Sequence, residues 1–490
     1  MSNSYPPTLP VVIFEHSNKF VPGGQCDCDC DCACGLSTAT SFVFDKSVLP
    51  RIPELEAASF STIKLNDEYT LCFGPTCQPT VVNHPALDLL IGLKNHQHFS
   101  LYAHLSKIGG EICAAETIQN LVQSGLLTLP HQTLEASPHT LTAWLHTTDR
   151  CNLRCIYCYL PHRPEDMSKI TGDETIHTLF SEASRNGYSK VKIKYAGGEP
   201  LLRFETILGW HELAAQLSAE LHLELEEVIL SNGTLLTPEI AASIKKHGLR
   251  LMISLDGLGA AHDVHRHFAN GRGSFEQVSL AIVIAQQAGL SPHISVTVST
   301  QNAHSLPELV AWLCANKLHF NLNFARENLY YAENGDQQIL IDGMLSAFEV
   351  IRVNPPNESI LAGLVDRANL AVPHLRTCAV EQDYLVFNAR GQLFRCQMEM
   401  SGNPVTTENK NILNSFRRHS NPINLPVNKK GNCKTCEWMY WCTGGCPLLT
   451  YRLNGRSDVQ SPYCAVYKSL YPESFRLEGF RLLAKYAEQQ

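Results

Sequence analysis

No stretch of this 490-residue chain is apolar for long enough to cross a bilayer, which argues against a membrane-spanning helix and a membrane partner. The N-terminus, Met1-Ser-Asn-Ser-Tyr-Pro-Pro, has neither the basic nor the apolar region of a secretory signal, so a cytoplasmic location is the expectation. An excess of positive charge is missing too. With a net charge of −8 the chain is a poor match to nucleic acid, whose phosphates need concentrated Lys and Arg. Hydrophobic residues make up 44% and charged residues 18%, which is the balance of a folded chain, long enough for about three domains.

Cysteine, by contrast, is plentiful. Nineteen cysteines without a secretory signal read as thiols or metal ligands rather than as a disulfide framework. Five fall between Cys26 and Cys34, three between Cys151 and Cys158, and seven between Cys378 and Cys464. Cys72, Cys77, Cys113 and Cys314 stand singly in apolar surroundings and read as core. The run Cys26-Asp-Cys-Asp-Cys-Asp-Cys-Ala-Cys34 sits in a Pro-, Ser-, Asn- and Gly-containing segment, 1–57, and reads as flexible and low in complexity.

The stretch Cys151-Asn-Leu-Arg-Cys155-Ile-Tyr-Cys158 places three thiols on one loop. Three such thiolates can hold three corners of a [4Fe–4S] cube and leave one iron open to a small chelating molecule. Zinc would more naturally pair a C-x2-C with a second ligand pair, and none stands nearby. This C-x3-C-x-aromatic-C spacing resembles the signature of the radical S-adenosylmethionine (SAM) enzymes. The resemblance implies that the open iron binds SAM, whose reductive cleavage yields a 5′-deoxyadenosyl radical. Cys151, Cys155 and Cys158 are then both metal ligands and the catalytic centre.

From 139 to 326, strand-like and helix-like stretches alternate, which predicts a parallel α/β barrel. Strands are predicted at Thr140–His146, Lys190–Tyr195, Glu227–Leu230, Arg250–Leu255, His293–Val298 and His319–Phe324. Six repeats are similar to the partial, TIM-like (β/α)6 barrel of radical SAM enzymes, where chemistry gathers at the C-terminal strand ends. The motifs fall there: Ala196-Gly197-Gly198-Glu199-Pro200 closes the second strand, Ser231-Asn232-Gly233 the third, Ser254-Leu-Asp256 the fourth. Two glycines let backbone approach a ligand closely. By the resemblance, the Gly197–Pro200 turn meets the methionine amino group of SAM. Asn232, Ser254 and Asp256 then face its ribose and carboxylate, and Tyr157 its adenine. Arg266 and its neighbours His262, His265 and His267 read as a solvated surface loop. Residues 327–377 read as a helical connector, with Glu327, Tyr330, Tyr331 and Asp336 at the surface.

Residues 58–130 suggest three strands and then three helices, the second and third parted by Gly109-Gly110. This is a winged-helix-like order, but the module holds three lysines, no arginine and five acids, and its last helix has no basic side chain. Groove entry on DNA is implausible for such a surface. In order and size the module resembles the PqqD-like element that grips leader peptides, by a peptide adding as an extra strand to a sheet edge.

Over 378–470 the spacing is Cys378, Cys396, then Cys433-x2-Cys436-x5-Cys442-x3-Cys446, then Cys464. A zinc ribbon also uses C-x2-C pairs, yet seven thiolates beside a radical motif favour iron–sulfur. The arrangement resembles the SPASM extension, which carries two auxiliary Fe–S clusters. The resemblance implies one cluster enclosed by Cys433, Cys436, Cys442 and Cys464, and a second on Cys378, Cys396 and Cys446 with one iron free or held by a non-cysteine group. Where sulfatase maturases carry an aspartate after the second cysteine, this chain has Gln397, an amide that cannot act as a base at neutral pH. Residues 471–490 complete the chain as a C-terminal helix. The expected whole is a peptide-modifying radical SAM maturase that crosslinks a ribosomally made precursor, thioether favoured over a carbon–carbon ring. Residues 58–130 would hold the leader, and a flavodoxin or ferredoxin would supply electrons. Sulfatase maturation and a zinc-binding winged-helix regulator are the alternatives.

Overall fold

The computed structural model describes residues 9–15, 55–94, 101–128, 139–160, 162–326, 335–366, 368–406, 411–417 and 422–489. Cys26 to Cys34, Glu327, Tyr330 and Tyr331 lie outside them.

The first unit contains strands β1 (Val12–Ile13), β2 (Glu56–Ala57), β3 (Ser61–Lys64), β4 (Tyr69–Gly74) and β5 (Cys77–Asn83). Helices α1 (His84–Lys94) and α2 (Leu101–Gln123) and strand β6 (Leu127–Thr128) follow. β1, β5, β4 and β3 form an antiparallel sheet in that order, and β2 pairs with β6. Two expectations fail here. β1 brings residues 9–15 of the 1–57 stretch onto the sheet, where Asn83 anchors them through Val11 N (2.9 Å) and Leu9 O (2.7 Å). And α2 runs straight through Gly109-Gly110. Glycine costs about 1 kcal/mol in a helix, but packing overrides that here: a Cβ at Gly109 would stand 2.8 Å from the Leu9 side chain.

The barrel strands are β7 (Thr140–His146), β8 (Lys190–Ala196), β9 (Glu224–Ser231), β10 (Arg250–Ser254), β11 (His293–Val298) and β12 (Phe320–Phe324). Between them lie α3 (Lys169–Arg185), α4 (Phe204–Leu221), α5 (Pro238–Lys246), α6 (Ala260–Asp263), α7 (Phe275–Gln287) and α8 (Leu306–Ala315). All six strands run parallel. Their near-continuous burial is that of a sheet covered on both faces. The sheet does not end at β7. After α9 (Gln337–Val353), which Asp336 caps, the hairpin of β13 (Tyr384–Phe387) and β14 (Leu393–Phe394) adds β13 parallel to β7. The sheet thus has eight strands, and the cysteine-rich domain is continuous with the barrel.

α10 (Ile412–Arg417), α11 (Met439–Cys442) and α12 (Pro447–Asn454) precede α13, which begins at Cys464 rather than 471 and runs to Gln489. α13 packs on α9 and on β4 and β5, tying the first unit to the rest. At the junction, Phe73 stacks on Trp438 at 5.1 Å and packs against Phe475 at 4.6 Å. Phe73 is 2% exposed. Phe73→Ala is therefore expected to cost about 3–5 kcal/mol, read as a lower denaturation midpoint of the full chain.

Candidate active site

β7 delivers the cysteine loop to the C-terminal ends of the barrel strands, where one cavity is lined by Cys151, Cys155, Cys158, Tyr157, Gly197, Gly198, Asn232 and Ser254. The loop is held by backbone: Arg154 N donates to His267 O (2.8 Å) and Ile156 N to His265 O (3.0 Å). The segment 262–267, read from sequence as a solvated loop, is thus the wall that shapes the cysteine loop. His262 and His265 are fully buried, with His262 Nε2 3.0 Å from Ser274 Oγ and His265 Nε2 2.9 Å from Ser299 Oγ. Burial pushes His262 down to about 4, so it is neutral at physiological pH.

Arg266 is likewise buried. Its Nε donates to Asp256 Oδ2 at 2.8 Å, its guanidinium lies 5.4 Å from the Tyr157 ring centre, and Nη1 is 3.8 Å from Cys155 Sγ. Asp256 is 1% exposed and does not face the cavity; it also accepts from Tyr157 OH (2.5 Å) and, through Oδ1, from Thr297 N (2.9 Å). Burial opposes its ionisation, but Arg266, with His265 and His262, outweighs that and holds the carboxyl below its usual range.

The two glycines of the second-strand turn are needed for a contact within the protein. A Cβ at Gly198 would lie 2.2 Å from Arg150 O, and one at Gly197 2.5 Å from Thr148 O. The turn is thereby pressed onto the chain leading into the cysteine loop, with Gly198 N donating to Thr148 O (2.7 Å) and Glu199 N to Arg150 O (2.9 Å). Pro200 opens a short 3-10 turn capped by Glu199. The Glu199 carboxylate is fully buried and accepts from Leu201 N (3.0 Å), Ser231 Oγ (2.7 Å) and Asn232 N (2.8 Å). It locks the ends of β8 and β9 together. Burial raises it to about 7, against those donors. Glu199→Gln leaves a donor facing an amide NH2 and is expected to destabilise the chain by about 1–3 kcal/mol, measured by urea denaturation.

Asn232 Nδ2 donates to Asn152 Oδ1 (2.9 Å) and is 3.8 Å from Cys151 Sγ. Arg326, not singled out from sequence, also lines the cavity and pairs with Asp366 Oδ1 at 2.6 Å. Its signal was available, since it stands two residues past β12, at a strand end like the others.

Burial pushes Cys151 and Cys155 up to about 12, so as bare thiols they hold their protons. Bound iron would replace those protons and stabilise the thiolates. Among the described residues, no three His, Cys, Asp or Glu side chains gather tightly enough to share one ion. Three thiols of one loop that line one cavity are the soft donor set an Fe–S cube takes. In the C-terminal domain Cys433, Cys436, Cys442 and Cys464 line one small cavity. Cys396 belongs to a buried cluster against which Cys378 and Cys446 pack, and burial raises both Cys378 and Cys396. Gln397 Oε1 accepts from Tyr384 OH at 3.0 Å and lies 3.5 Å from Cys396 Sγ.

The radical SAM superfamily model matches residues 145–313. An uncharacterized protein of Methanocaldococcus jannaschii is 31% identical over 35% of this chain, which spans 57% of that relative's length. AdoMet-dependent heme synthase of Methanosarcina barkeri is 26% identical over 66% of this chain and 95% of its own. GTP 3′,8-cyclase of Petrotoga mobilis is 31% identical over 43% of this chain and 66% of its own. The structure of anSMEcpe with bound AdoMet and Cp18Cys peptide superposes with a TM-score of 0.56 at 18% identity, over 70% of this chain and 99% of that one. The chain therefore carries a radical SAM domain over residues 145–313, has the radical SAM fold, and is an enzyme.

Proposed function

We propose that this chain is a SPASM-type radical SAM maturase that modifies a ribosomally made peptide, forming a crosslink for which a thioether is preferred. The observation that carries this reading is a shared wall. Met398, from the turn after Cys396, lines the same cavity as Cys151, Cys155 and Cys158, so the domain of auxiliary cysteines borders the radical centre. The clusters and SAM, when bound, supply reductive cleavage, a hydrogen-abstracting radical and an electron acceptor, with a flavodoxin or ferredoxin as donor. The chain's part is placement. Cys151, Cys155 and Cys158 would hold the first cluster; Cys433, Cys436, Cys442 and Cys464, and Cys378, Cys396 and Cys446, the other two. Asn232 and Ser254 present polar groups to the SAM side of the cavity. Tyr157 and Asp256 hold its wall through Arg266, and the Gly197–Pro200 turn fixes its floor.

Residues 58–130 would bind the leader in the manner of a PqqD-like element. The acid-leaning charge of that module supports a peptide over DNA. The bound peptide of anSMEcpe supports a peptide substrate. Gln397, hydrogen-bonded to Tyr384, offers no base and disfavours sulfatase maturation. The test pairs the reconstituted chain with the peptide encoded beside its gene. A crosslinked product lacking two hydrogens is expected. SAM cleavage stimulated by a porphyrin and not by the peptide would instead favour the heme-synthase-like reading that the length of the Methanosarcina match supports. Stoichiometric zinc with no SAM cleavage would favour the regulator.

A further inference from the structure

A buried lysine sits against the turn that joins the two auxiliary cysteine sets. Lys430 is 2% exposed. Its Nζ donates to Thr443 O at 2.7 Å, in the Cys442–Cys446 turn whose two ends belong to different sets. In the same turn Gly444 has a φ of +90°, and a Cβ there would stand 3.1 Å from Lys430 Nζ and 3.6 Å from Cys433 Sγ. The ammonium and that sulfur therefore flank one point of backbone. Burial lowers the Lys430 pKa, and any negative charge on the sulfurs of both sets opposes that, Cys378 and Cys446 from one, Cys433 and Cys442 from the other.

Neighbouring cations are less central. Lys468 acts on Cys433 and Cys464, Arg376 feels Cys378, and Arg326 feels Cys446. His374, also beside Lys430, is pushed down to about 4 by burial and stays neutral. An ammonium this deep needs nearby negative charge, because desolvation costs several kcal/mol per ion. Thiolate-bound clusters on both sides would bring that charge. Cluster potential depends on local charge and on hydrogen bonds to sulfur.

We propose that Lys430 is a shared positioning residue of the auxiliary pair, whose ammonium raises the reduction potentials of both clusters and so sets them together as electron acceptors. This rests on the seven-cysteine reading above. The measurement is an anaerobic EPR redox titration of the reconstituted full chain, with iron counted, for wild type, Lys430→Gln, Lys430→Arg and Lys468→Met. Glutamine keeps a donor for Thr443 O and removes the charge. Expected is full iron loading in Lys430→Gln, both auxiliary midpoints shifted down, and the Cys151/Cys155/Cys158 cluster unmoved. Arginine should keep both midpoints close to wild type, and Lys468→Met should move only the Cys433 set. Unchanged potentials in loaded Lys430→Gln, or a shift in one cluster alone, overturn the proposal. Should Lys430→Gln lose auxiliary iron, Lys430→Arg decides: retained iron and potentials support the charge, and loss in arginine as well overturns it. Wild type that never binds auxiliary iron contradicts instead the underlying reading.

Discussion

Cys155→Ala is expected to abolish 5′-deoxyadenosine formation while leaving both auxiliary cysteine sets intact. Changing the outer partners of a metal ligand typically costs about 10–100-fold, so removing a ligand should exceed about 100-fold. Among the proposed ligands, Cys155 is the one beside the buried Arg266. Its sulfur lies 3.8 Å from Arg266 Nη1, on a loop held to the 265–267 backbone at Arg154 and Ile156. Iron analysis should show the loss of one cube's worth of iron and no more, since Cys433, Cys436, Cys442 and Cys464 line a separate cavity. Loss of all iron would mean that the three sites are not independent.

Arg266→Met should be the most damaging substitution at a position that is not itself a ligand. It leaves the Asp256 carboxylate buried with Tyr157 OH and Thr297 N as donors and His265 Nδ1 3.8 Å away. Breaking one side of a buried pair costs about 3–5 kcal/mol, whereas removing both partners together is often close to neutral. The double variant Arg266→Met/Asp256→Leu is therefore expected to recover much of the stability lost in Arg266→Met. Urea denaturation of the anaerobic chain measures both. If Arg266→Met alone leaves the midpoint unchanged, the pair does not carry the wall of the site.

The barrel was legible in the sequence because periodicity and turn chemistry agree there. Thr140–His146 and His293–Val298 form strands at the predicted residues, and the remaining four differ only at their ends. The cysteine loop and the Gly197–Pro200 turn could be placed at strand ends for the same reason. Three features needed tertiary structure. The glycine pair in α2 carries a break signal, yet the helix continues, with Leu9, a hundred residues upstream, close against Gly109. The hairpin β13–β14 joins the barrel sheet by pairing with β7, a contact between residues more than two hundred positions apart that no local pattern announces. Polar residues such as His262, His265 and Arg266 read as solvated because their partners, Ser274, Ser299 and Asp256, come from other turns. Their burial follows from those hydrogen bonds, and hydropathy alone points the other way.

The most direct test is SAM cleavage by the anaerobically reconstituted, chemically reduced chain, assayed as 5′-deoxyadenosine released per cluster, beside a Cys151→Ala/Cys155→Ala/Cys158→Ala control. Release by the wild type, together with the EPR signal of a reduced cube, is expected, and neither in the control. Fully iron-loaded wild type that releases no 5′-deoxyadenosine, or a control that releases as much as wild type, would contradict it.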